Sequence, residues 1–131
     1  MHDPDIIFTD PGQGELQKLS VQFAREARRL ALMLIKQSAI ERSSIDQLYR
    51  SAMSVGANVR EAQFAESAKD FLHKLKVAEK ELAEFYFWLG ALHSEPQLIS
   101  PDQSETSQEL ALRTKKLLAS IITSMKRKLS S

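Results

Sequence analysis

The chain has 131 residues, enough for one domain with a single buried core. It has no cysteine, which excludes disulfides, thiolate catalysis and zinc–thiolate sites and suits a reducing cytoplasm. Net charge is +1, yet residues 1–15 hold four acids and no base, while residues 110–131 hold six bases and no acid. Residues 1–109 alone therefore carry −5. Such polarity marks either an anion-binding surface or a solvated last helix whose cations suit its C-terminal dipole. The N-terminus is acidic where a secretory leader would be basic, so a cytoplasmic location is expected. The longest apolar run, residues 30–35, is too short to span a bilayer, and no membrane partner is expected.

Residues 1–14 read as a tail. Asp3-Pro4 and Asp10-Pro11 break structure, and Gly12 and Gly14 loosen it further. Ile6, Ile7 and Phe8 either pin this tail to a neighbour or leave it disordered. The remainder, residues 15–131, reads as one helical domain.

A first helix is expected over about 15–37. Leu16, Leu19, Phe23, Leu30 and Leu34 form its stripe, with Ala27 between. Leu32, Met33 and Ile35 lie off that stripe, so the helix end is apolar nearly all round and is a candidate contact with another chain. Arg25, Arg28 and Arg29 occupy its polar side.

A second helix is expected over about 44–63, capped by Ser43 or Ser44 with Asp46 or Gln47 three residues on. Ile45, Leu48, Tyr49, Ala52, Val55 and Val59 give its apolar face. Gly56 lies inside it, and with Ala52 and Ala57 makes a small-residue surface; close packing of another helix is the expected reason.

The third helix, about 67–92, carries the clearest pattern in the chain. Phe71, Leu75, Ala78, Leu82, Phe85, Leu89 and Leu92 recur at alternating steps of four and three, a heptad seam that partner helices must cover. Ser67 is a good cap with Asp70 three residues on. Tyr86, Phe87 and Trp88 widen the apolar side, and Phe87 and Trp88 are candidates for a subunit interface.

Ser100-Pro101-Asp102-Gln103 is a strong start for a fourth helix over about 101–129. Leu110, Leu117, Leu118, Ile121, Ile122, Met125 and Leu129 give its apolar face. Four helices with short connections predict an all-α, up-down-up-down antiparallel four-helix bundle.

No catalytic constellation emerges, and no metal or cofactor is expected. His2, His73 and His93 are scattered, with no pair at metal-ligand spacing on one helix. Glu81 and Glu84 lie beside the seam but alternate with Lys76 and Lys80, which reads as a mixed, solvated charged face. There is no glycine-rich phosphate loop and no nucleophile elbow. Nucleic-acid binding would need a basic surface that follows phosphates. Three clusters qualify: Arg25, Arg28 and Arg29; Arg113, Lys115 and Lys116; Lys126, Arg127 and Lys128. The first and fourth helices should be neighbours, which would set Arg113 to Lys116 level with the later part of helix one.

The segment from Gln47 to Glu61, followed by Ser67 to Phe71, resembles the four-helix-bundle proteins encoded in 23S rRNA intervening sequences. That family carries a pattern close to Q-L-x-R-A-x-x-S-I-x-x-N-I-x-E-G, then a basic residue, then S-x-x-D/E-F. Gln47, Leu48, Arg50, Ser54, Asn58, Glu61, Ser67, Asp70 and Phe71 match it. Ala62 stands where the family has Gly, Ala65 and Glu66 where it has a base, and Arg60 where it has a small residue. The resemblance implies a ring, typically a homopentamer, without known enzymatic activity. It also extends to accessory proteins of diversity-generating retroelements, which associate with a reverse transcriptase and bind nucleic acid. Asn58 and Glu61, three apart on one face, either organise the junction to helix three or line a shared surface; the structural role is expected, since a buried Asn with a nearby carboxylate often bonds loop backbone.

The leading expectation is a non-enzymatic, ring-forming bundle that binds structured RNA or DNA through basic residues repeated around the ring. A second is a protein–protein adaptor, such as an accessory subunit docking a reverse transcriptase, in which Phe64, Phe87 and Trp88 would matter more than the cations.

Overall fold

The computed structural model describes residues 14–38, 40–94 and 98–131. The expectations for the tail, apart from Gly14, lie outside the described residues. Four helices follow in order: α1 Gly14–Gln37, α2 Arg42–Ala62, α3 Ala68–His93 and α4 Pro101–Ser130. No strand occurs among the described residues. Each helix packs on its chain neighbours, and α1 also packs on α4, which closes an up-down-up-down antiparallel four-helix bundle.

The heptad seam builds the centre. Leu75, Ala78, Leu82, Phe85, Leu89 and Leu92 are all buried, and Phe71 is half-buried at the start of the seam. Opposite lies the α1 stripe, with Phe23, Ala27, Leu30 and Leu34 fully enclosed. Phe23 and Phe85 meet edge to face, centroids 4.8 Å apart, and tie α1 to α3 across the core. From α2 come Ile45, Leu48, Ala52, Val55 and Val59, all buried; Tyr49 stays partly exposed. From α4 come Leu110, Ala111, Leu118 and Ile122.

Five small hydroxyl side chains also sit in this core: Ser20, Ser51, Ser104, Ser107 and Thr114. They read as polar in the sequence. In the fold Ser20, Ser51 and Thr114 donate to carbonyls one turn back on their own helices, so they enter the interior already satisfied.

The helix ends differ from one another. Ser67 caps α3 by accepting the Asp70 amide at 3.0 Å, while the Asp70 carboxylate accepts the Glu66 amide at 3.2 Å. Ser100 and Gln103 form a full reciprocal capping box on α4. The start of α2 departs from expectation. It opens at Arg42 with Glu41 in the cap position and no side-chain cap, so Ser43 and Ser44 lie inside the helix. Its first bond is Ile45 N–H to the Glu41 carbonyl, 2.9 Å. At its other end, Gln63, Phe64 and Ala65 donate to the carbonyls three residues back. That tight turn needs no left-handed residue, so Ala62 serves there without strain.

Candidate functional site

The nine candidate cations are all exposed, but the fold does not gather them. Gln103 of α4 donates to the sulfur of Met33 on α1 at 3.8 Å, which fixes the antiparallel register. Counting antiparallel from that pair at equal rise sets Arg113 near Phe23, midway along α1 rather than along its later part. Arg25 and Arg28 line the groove between α1 and α2. Lys115 lies in the groove between α3 and α4, its ammonium 5.7 Å from the Tyr86 ring centre. In a four-helix bundle these two grooves are on opposite faces. Arg29 turns aside to an ion pair with Glu26 at 2.9 Å. Arg25 and Arg28 are therefore not gathered with Lys115 on one face of the chain.

The geometry does organise α4 along its own length. Its buried residues leave the opposite side outward, and Arg113, Lys116, Ser120, Thr123 and Arg127 follow that side at steps of three and four. All five are exposed. The stripe runs about 21 Å from Arg113 to Arg127 at 1.5 Å per residue. Ile122 is the last buried residue of α4, so two further turns bearing Lys126, Arg127 and Lys128 extend past it. Cations there also suit the negative helix end.

The α1–α2 groove has a volume of about 340 Å³. Ala24, Gly56 and Ala57 form part of its floor, and Arg25, Arg28 and Arg60 stand around it. A methyl group added at Gly56 would lie 3.8 Å from both Ala24 Cβ and the Ser20 carbonyl, ordinary contact. Packing against α1 thus does not demand a glycine here, contrary to expectation. Arg60 also covers the Phe64 ring, 5.2 Å from its centre.

The family-motif residues take structural positions. Asn58 donates to the Ser54 carbonyl at 2.8 Å, a bond within its own helix rather than to the junction. Glu61 reaches α3 through Lys74 at 3.9 Å. Arg50, matched by the motif but given no role in the sequence, is the busiest. Its guanidinium donates to Gln47 at 2.9 Å and to Glu81 at 3.2 Å, and pairs with Glu84. Glu84 also accepts from the Trp88 indole at 3.3 Å. Glu81 and Glu84 are therefore held by α2 rather than by the lysines of their own helix. A forked guanidinium matches two carboxylates where a lysine offers a point charge. The Arg50 hydrogen bond, then the Trp88 one, hold the Glu84 carboxyl below its ordinary pKa.

Among the candidate interface residues, Phe64 and Phe87 are 72% and 64% exposed. Phe87 stacks edge to face on the half-buried Trp88, centroids 5.0 Å apart. Leu32 is exposed, while Met33 and Ile35 pack on the bundle's own core, so of these three only Leu32 is left on the open side of α1. Gln103, in the first turn of α4, contacts Met33.

One polar contact is not visible in the sequence. His93 Nε2 and Ser104 Oγ lie 2.8 Å apart, and Gln108 donates to the same oxygen at 2.7 Å. Ser104 is completely buried, so this group fastens the α3–α4 corner. No cluster of three or more metal-ligating side chains occurs among the described residues, and none of their helices is long and apolar enough to cross a membrane.

Comparison with known proteins agrees with the bundle. A crystal structure of a protein of unknown function from the S23 ribosomal protein family of Bacteroides thetaiotaomicron VPI-5482 is 35% identical. The match covers 82% of this chain and 97% of that one, with a TM-score of 0.73. No curated protein matches the sequence. The family model for the 23S rRNA-intervening sequence protein matches residues 15–120, and the chain belongs to that family.

Proposed function

We propose that this chain is a non-enzymatic assembly protein whose copies form a ring and bind structured RNA or DNA through repeated basic surfaces. The observation that carries this reading is the outward stripe of α4. Arg113, Lys116 and Arg127 alternate there with the hydroxyls of Ser120 and Thr123, and residues 110–131 contain no acid to repel phosphate. Cations with interspersed hydroxyls suit backbone contacts, which position a nucleic acid without reading its bases. One stripe is a small site. Copies arranged in a ring, a homopentamer on family precedent, would multiply it by raising the effective concentration of each further contact. Exposed Leu32, Leu112 and Phe87 offer apolar surface for contacts between copies.

The test is charge reversal of Arg113, Lys116 and Arg127 to Glu, read by RNA binding across a salt series. Binding should weaken, and the slope of log affinity against log salt should fall by about 3, one for each phosphate no longer neutralised. An unchanged slope in a folded variant would contradict the reading.

Exposed Phe87, stacked on the half-buried Trp88, with exposed Phe64, favours a second reading as an adaptor for a protein partner, for which a reverse transcriptase is one example. That binding should survive the α4 charge reversal and be lost on Phe87→Ser.

A further inference from the structure

We propose that the α1–α2 groove is the docking site for the chain's own N-terminal segment, residues 3–10. This takes Arg25 and Arg28 out of the phosphate-contacting set and sets the segment's carboxylates beside them.

Three observations converge on this occupant. The groove is open and apolar at its base, with Val21, Ala24, Gly56 and Ala57 in its lining, and Gly56 leaves room for a methyl that the bundle itself does not fill. Three guanidinium groups, Arg25, Arg28 and Arg60, stand around that base. The N-terminal segment has the complementary order of chemistry: Asp3 and Asp5, then Ile6, Ile7 and Phe8, then Asp10, with no Lys or Arg before Lys18. Its apolar triplet matches the floor and its flanking carboxylates match the rim.

Length and direction fit as well. The segment joins α1 at Gly14, the end of the bundle where α2 finishes. Val21 and Arg28 lie roughly 10 Å and 21 Å along α1 from that point, at 1.5 Å per residue. Phe8 and Ile6 are separated from Gly14 by about 20 Å and 27 Å of extended chain. The triplet therefore reaches the groove after one reversal, for which Pro11 and Gly12 are suitable residues. A short tether also gives the segment of the same chain an effective concentration in the millimolar range, ahead of any free partner.

The chain has no cysteine, so one introduced thiol carries a unique spin label. Gln22→Cys places a nitroxide on exposed α1 surface outside the groove lining, and Ala119→Cys places one in the opposite groove. In the full-length isotope-labelled protein, the amide signals of Ile6, Ile7 and Phe8 should lose most of their intensity with the Gln22 label and keep it with the Ala119 label. Arg25→Glu combined with Arg28→Glu should restore them, as should high salt. Signals that are equally broadened by both labels, or by neither, would overturn the proposal. So would broadening that persists in the charge-reversed variant. Mixing nitroxide-bearing chains without isotope label with isotope-labelled, nitroxide-free chains should leave the signals intact. Broadening there would assign the segment to a neighbouring copy and overturn docking within one chain. None of these measurements involves nucleic acid, so they stand apart from the α4 test.

Discussion

Phe85 is the largest fully buried side chain of α3. It meets the equally buried Phe23 edge to face. Phe85→Ala should destabilise the bundle by about 3–5 kcal/mol, the range for emptying an aromatic site in a core that cannot collapse. Urea unfolding measures this directly. Glu84 makes a smaller, pH-dependent contribution. Its folded pKa lies below the ordinary value because Arg50 and Trp88 donate to the charged form. The stabilisation is therefore fully present above the unfolded carboxylate pKa and is lost as pH falls through the lower folded value. The site is part-exposed, so the effect should be at most about 1 kcal/mol. Arg50→Ala should flatten the stability profile below the usual Glu pKa and leave its shape near neutrality unchanged. A profile with the same acid-side slope in both proteins would refute this role for Glu84.

At the scale of the element, the legible features are those whose partners lie close in sequence. The seam of α3 can be read because a 3.5-residue period survives any tertiary arrangement, and each of its positions from Leu75 to Leu92 is buried. The caps at Ser67 and Ser100 can be read because cap and partner are three residues apart. Features set by other helices cannot. Ser104 and Ser107 look like solvent residues until α1 and α3 close over them. Arg50 reaches Glu81 across 31 positions, and no local pattern announces that pairing. The grooves that separate Arg28 from Lys115 exist only once four helices have closed. Gly56 misleads for the same reason: its packing environment is a property of α1. Because an alanine methyl there meets only ordinary contacts, Gly56→Ala should stabilise α2 by about 1 kcal/mol, the helix-propensity difference. A higher urea midpoint with an unchanged m-value is the expected result. A loss of stability would mean that something closer than Ala24 occupies that space.

For the whole molecule, the four helices present three chemically distinct surfaces. The outward side of α4 from Arg113 onward is cationic and acid-free. The outer side of α3 displays Phe87 beside Trp88. The α1–α2 side holds an apolar groove ringed by arginines. Their separation is consistent with a subunit that meets a copy, a polyanion and its own N-terminal segment at different places, without competition for one face. It also accounts for a near-zero net charge in a protein proposed to bind nucleic acid: the cations are segregated rather than in excess. The most direct test of a ring that binds RNA is the mass of the full-length protein in solution, read by light scattering after size exclusion, with and without structured RNA, at low and high salt. The expected result is a multi-copy species whose size is unaffected by salt and which gains RNA mass at low salt and releases it at high salt. A single-copy species that gains no mass with RNA at either salt would contradict it.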